Sequence, residues 1–153
     1  MITITCNKKM IQLLLAHRNC RNNISPELLN IVQDGFIIKE DCILLRSFYQ
    51  ANRKHVKIDY FDDLTEYETF LNGFMINDFC KNDYLKNGYL FVNLLSEMID
   101  AKYPDTSLEM VLCKSSKYFH FTMHTIRTEE KSYLENNLEN YLEPTMVIRH
   151  LVN

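Results

Sequence analysis

The stretch KYFHFTMHTI, residues 117–126, holds the residue types most able to do chemistry, His120 and His124. Read as a strand, its period of two puts Tyr118, His120, Thr122, His124 and Ile126 on one face. Phe119, Phe121, Met123 and Thr125 take the other. Two imidazoles on one face suit an acid–base pair or two metal ligands. A small hydrolase or ribonuclease using His120 and His124 is therefore one reading. No third ligand or carboxylate stands out on a neighbouring strand, so the pair reads better as a solvated or partner-facing edge of a sheet. His17 and His55 belong to no constellation, and His150, beside Arg149 on a closing strand, reads as structural. Ser115 and Ser116 form a turn without the strand–Gly-x-Ser-x-Gly–helix setting of a hydrolase nucleophile. The five cysteines stand singly with no CxxC pair, which disfavours zinc and disulfides. No Gly-rich phosphate loop is present. No catalytic residue, cofactor site or metal site is assigned.

A second pattern concerns charge. Residues 59–79, DYFDDLTEYETFLNGFMINDF, contain six acids and six aromatics and no Lys, Arg or His. Asp62 or Asp63 can cap a helix, with Glu66 at the capping-box position, so these three have a structural reading. Asp59, Glu68 and Asp78 are left as candidates for an acidic surface. Further on, TEEKSYLENNLENYL reads as a helix with Leu134, Leu138, Tyr141 and Leu142 inward. On such a helix Glu135 and Glu139 share a face at i, i+4, a like-charge pair that a basic partner would relieve. The candidate partner-binding set is thus Asp59, Glu68, Asp78, Glu135 and Glu139.

The chain as a whole supports this polarity. Its net charge of −3 divides unevenly: residues 1–57 hold nine basic and four acidic residues, and residues 58–153 hold eight and sixteen. Arg46, Arg53, Lys54 and Lys57 are a modest basic group, but a pI near 5.9 is wrong for a nucleic-acid-binding domain. The first residues lack the pattern of a signal peptide, and no apolar run approaches membrane length. A cytoplasmic protein with no membrane contact is expected.

A length of 153 residues fits one domain, here 1–153. MITITC alternates as a strand, and a helix follows over residues 8–19. SPELLNIVQDG is a helix with Ser25 as cap, Pro26 in the first turn and Gly35 past its end. CILLRSFYQ fits helix or strand; a hairpin of 42–50 with 55–61 is preferred, since Val56, Ile58 and Tyr60 alternate. Leu64, Tyr67, Leu71, Phe74 and Met75 mark one face of the next helix. In the longest amphipathic segment Leu85, Tyr89, Val92, Leu95, Met98 and Ile99 line a core face, and Pro104 ends it. SLEMVLCK and KYFHFTMHTI form two strands, and TMVIRHLV a last one. The fold class expected is α+β: a single domain with a mostly antiparallel sheet of four to six strands packed against helices centred near 14, 70, 93 and 135.

The segment HVKIDYFDDLTEYETFLNGFMINDF, the long core helix, FHFTMHTIR and LENNLENYLEPTMVI together resemble the small immunity proteins of bacterial polymorphic-toxin and contact-dependent growth inhibition systems. The resemblance spans the C-terminal two-thirds and lies in element order and style. It implies a cytoplasmic, non-catalytic protein that binds one cognate toxin domain, often a basic nuclease, with a ribonuclease favoured. A structural adaptor module is the remaining alternative.

Overall fold

The computed structural model describes residues 1–17 and 23–152. Strand β1 (Ile2–Cys6) leads into helix α1 (Lys8–Ala16), capped by the Asn7 side chain, which accepts from the Met10 amide. The end of the expected 8–19 helix, and Cys20, lie outside the described residues. Helix α2 (Pro26–Asp34) has the expected punctuation: Ser25 caps it, proline opens it, and Gly35 leaves it at φ 74°, a backbone angle that favours glycine.

The hairpin lies earlier than the sequence pattern suggests. Strands β2 (Phe36–Lys39) and β3 (Cys42–Leu45) pair with Phe36 opposite Leu45. Their turn residues Glu40 and Asp41 have φ of 51° and 61°, the left-handed pair of a type I′ turn. Residues 46–52 are helix α3 (Arg46–Asn52), and the expected partner strand at 55–61 holds only a 3₁₀ turn, Ile58–Tyr60. Val56 and Ile58 pack instead on a small core of Cys42, Leu44, Tyr67 and Leu71.

Helix α4 (Leu64–Asn72) starts as expected, with Asp63 accepting from the Glu66 amide and Glu66 from the Asp62 amide. It is shorter than expected. Gly73 ends it, where a Cβ would sit 2.9 Å from the Thr69 carbonyl oxygen. Phe74 and Met75 form the two-residue strand β4 (Phe74–Met75) rather than a last helical turn. Helix α5 (Tyr84–Lys102) precedes strands β5 (Leu108–Ser115), β6 (Tyr118–Thr125) and β7 (Thr145–His150). The main sheet runs β1-β7-β5-β6-β4, antiparallel throughout, so the fold is α+β with a five-stranded sheet and a separate hairpin.

One face of this sheet presents Met110, Leu112, Phe121, Met123, Met146 and Ile148 to α1, α2 and α5. Phe91 of α5 meets Phe121 edge-on at 5.0 Å and Phe74 at 5.3 Å, the arrangement that aromatic quadrupoles favour. Leu85, Val92, Leu95 and Ile99 are buried as expected, and Tyr89, at 38% exposure, is not. Gly88 and Phe91 face inward in its place, because the helix lies close to the sheet. A Cβ on Gly88 would stand 3.1 Å from both methyls of Leu112.

The helix expected near residue 135 is absent. Residues 128–143 form an irregular strap whose regular part is one 3₁₀ turn, Leu138–Asn140. Asn137 accepts from the Glu139 amide, and the Asn140 side chain donates to Glu135. Asparagine side chains compete in this way with helical backbone bonds. Among the described residues no helix is long and apolar enough to cross a membrane.

Leu95→Asp should fail to give a cooperative urea transition, because an unpaired buried charge costs several kcal/mol. Tyr89→Asp should melt within about 0.5 kcal/mol of the parent, as exposed positions do. The reverse order would refute the placement of α5.

Candidate functional site

The face of the sheet turned away from α5 is covered by α4 and the strap. Thr122 of β6 donates to the Thr69 carbonyl of α4 at 2.6 Å, and Tyr133 of the strap sets its ring edge-on to His124 at 5.7 Å. The two histidines share this face as expected, but they do not meet, and it is not a solvated edge: β6 runs between β5 and β4, and His124 is buried. Four residues along a strand separate them by about 13 Å. His120 is half-buried, and burial holds its pKa below the ordinary value.

His124 is engaged at both nitrogens. Nδ1 lies 2.9 Å from the Thr125 carbonyl and Nε2 3.1 Å from Glu109 Oε1, leaving neither nitrogen open to a substrate. Glu109 is the carboxylate that the sequence pattern failed to supply. From β5 it stands opposite His124 of β6 and opposite Arg149 of β7, and Arg149 Nε donates to its Oε2 at 2.6 Å. Burial alone would raise the Glu109 pKa, but the bonds from His124 and Arg149 outweigh it and hold it below the usual carboxylate range. A lone acid alternating with Leu108 and Met110 was the available signal. Strand register, which brings the three together, is not written locally. Among the described residues no group of three or more His, Cys, Asp or Glu could hold a metal ion.

The five acidic candidates do not form one surface. Glu68 is 0% exposed and belongs to the interior, which corrects its assignment to a docking face. It accepts from the Ile43 amide at 2.8 Å, the Thr125 amide at 2.9 Å, the Thr125 hydroxyl at 2.8 Å and Arg127 Nη1 at 2.7 Å. Glu135 and Glu139 are exposed on the strap, but not as a helical pair. Glu135 accepts from Asn140, and Glu139 accepts from the Lys8 amide at 2.8 Å. Asp59 and Asp78 are exposed. Asp78 follows edge strand β4, whereas Glu139 bonds the residue two beyond β1, the opposite edge strand.

What the fold does assemble is a cleft of about 570 Å³ between α4 and the strap. Phe61, Phe70 and Tyr133 give it aromatic walls, and Asp63 and Glu66 give it carboxylates, with His120 and Lys131 also lining it. Phe61 and Phe70 lie 5.4 Å apart between ring centroids, and Phe70 is 60% exposed. The strap is fixed beside α4 by Glu130, which accepts from the Leu64 and Thr65 amides at 3.1 and 2.9 Å. Burial opposes ionisation of Glu130, yet the bonds from Thr65 and Leu64, with Arg127 nearby, lower its pKa. Asp63 and Glu66 read from the sequence as helix caps, and they are. Their place in the cleft depends on Tyr133, some 70 residues away in the chain.

The sequence model of the Uncharacterized protein PM0498 family matches residues 5–151. No curated protein and no solved structure matches the chain.

Glu68→Ala should cost about 3–5 kcal/mol in urea unfolding, the usual result of stranding one member of a buried ion pair. Glu109→Gln should show a distinct pH signature. A lowered folded pKa adds stability above the unfolded carboxylate value of about 4.3, lost as pH falls through the folded value. The parent should therefore exceed Glu109→Gln in stability at neutral pH, and the gap should close in acid. A gap constant with pH would show that Glu109 does not contribute as an ion.

Proposed function

The chain belongs to the Uncharacterized protein PM0498 family, and on that premise we propose that it is a non-catalytic immunity protein that binds and neutralises a cognate toxin domain. The partner is a basic, Lys/Arg-rich domain, a nuclease with ribonuclease favoured, met in the cytoplasm and blocked at its active site. The observation that carries this reading is the aromatic and carboxylate cleft between α4 and the strap. Protein interfaces concentrate their binding energy on aromatic anchors set in pockets. Carboxylates at the same place select a cationic partner and speed its encounter. Phe61, Phe70 and Tyr133 supply the first, and Asp63 and Glu66 the second. Asp59, Glu135 and Glu139 are exposed as well, outside the cleft lining. The separation of His120 from His124, and the engagement of both His124 nitrogens, weigh against the hydrolase reading.

The test is to sequence the gene's neighbourhood for a toxin domain and to measure binding to it and growth protection against it; a neighbourhood with none would count against the reading. Binding should weaken as salt is added, since exposed charges are screened. Phe70→Ala should weaken it by about tenfold or more, equal to 1.4 kcal/mol per decade. Glu66→Lys and the pair Glu135→Lys, Glu139→Lys should slow association while the protein stays folded. Salt-insensitive binding that survives all of these would place the interface elsewhere, and absence of protection would sink the immunity reading.

A further inference from the structure

Behind Tyr133 lies a second cavity of about 340 Å³, lined among others by Glu109, His124, Arg149, Lys131, Ser132 and Asn136. We propose that it binds a small oxyanion, a carboxylate or phosphate group carried by a small molecule. The case rests on which hydrogen-bonding capacity is already used. Both Glu109 oxygens are engaged, Oε1 with His124 and Oε2 with Arg149. The one carboxylate of the site is thus satisfied internally. The donors are not. Arg149 gives only Nε to Glu109, so its outer edge, Nη1 and Nη2, has no partner among the described residues, and the side chain is 35% exposed. The Lys131 ammonium, the Ser132 hydroxyl and the Asn136 amide likewise have none among the described residues. A guanidinium edge takes a planar oxyanion through two parallel bonds, and an ammonium adds a point charge.

The charge balance agrees. Arg149, Lys131 and Arg127 line the cavity against the single carboxylate of Glu109. Arg127 is committed to Glu68 and to the Asp41 carbonyl, so it contributes field rather than contacts. Glu130 lies 4.0 Å from Arg127 but is spent on the start of α4. The volume is that of a small-ligand site. The proposal is independent of any toxin.

The experiment titrates the full chain with inorganic phosphate, and separately with acetate, against sodium chloride at matched ionic strength. It follows ¹H–¹⁵N shifts. Saturable shifts at Arg149 Nε and at the amides of Lys131, Ser132 and Asn136, absent with chloride, are expected. Stronger binding of phosphate identifies phosphate esters as the ligand class, and stronger binding of acetate identifies carboxylates. Lys131→Gln, at an exposed position, should lower the affinity at least about tenfold, the worth of one charge-assisted bond. Arg149→Lys keeps a cation beside Glu109 but removes the fork, and should do the same. The proposal is overturned if phosphate and acetate both shift only what chloride shifts, or if Lys131→Gln binds as the parent does. The second outcome decides even where Arg149→Lys fails to fold.

Discussion

The carboxylate of Glu68 is the contact on which the rest of the architecture depends. It sits in the interior at the meeting point of α4, the hairpin and the end of β6, and four donors converge on it. One turn later on the same helix face, Asn72 repeats the device. Its Oδ1 accepts from the Leu45 amide at 2.8 Å, and its Nδ2 donates to the carbonyls of Ile43 and Met123. Strand β3 therefore has β2 on one side and two helix side chains on the other. A lone two-stranded hairpin is marginal in water. Here its outer edge is satisfied by side chains, and Arg127 neutralises the charge that this requires. Among the described residues no buried side-chain nitrogen or oxygen is left without a partner.

The strap inherits its position from this arrangement. Arg127 anchors its start to Glu68, and Glu130 seats the next turn on α4. Its far end is held by Asn7, whose amide donates to the Glu143 carbonyl at 2.8 Å while its oxygen accepts from the Thr145 amide at 3.0 Å. Between these fixed points the strap spans the outer sheet face and encloses both cavities. Tyr133 divides them. One side offers rings and carboxylates, and the other unspent cationic donors. The two sides differ in their carboxylates and cations although Thr65, Lys131, Ser132 and Tyr133 line both.

Local signals account for what the sequence made legible. Ser25 with Pro26, and Asp63 with Glu66, are complete helix starts within four residues. The alternation in β5 and β6 and the long periodicity of α5 are equally local. The hairpin is not legible locally because its turn is Glu40–Asp41, a weaker mark than Asn-Gly, and because all four β3 residues are buried between two cores and show no alternation. In the strap, leucines fall at helical spacing, yet Leu138 is buried and Leu142 is 78% exposed. The asparagines were the contrary evidence, and they prevailed. The roles of Glu68 and Glu109 were beyond local reading. An acid inside an apolar pattern shows that something compensates it, but the partners lie 15 to 59 residues away in sequence. The acids of the cleft are legible as caps, while the site they form needs a strap whose leucine spacing mimics a helix.

The pairing of β1 with β7 has a consequence for the route by which the chain folds. Ile2 stands opposite His150, so this ladder joins residues at opposite ends of the domain's sequence. Contacts of such wide separation form slowly, because the entropy of the intervening chain is lost before the contact gives any return. The β5–β6 hairpin and α5 have no such delay and are the natural nucleus. During synthesis β1 emerges before β7 and must wait, without its partner, until that strand is made. Its threonines on one face keep that waiting segment from being apolar on both sides, which limits its tendency to pair with another nascent chain.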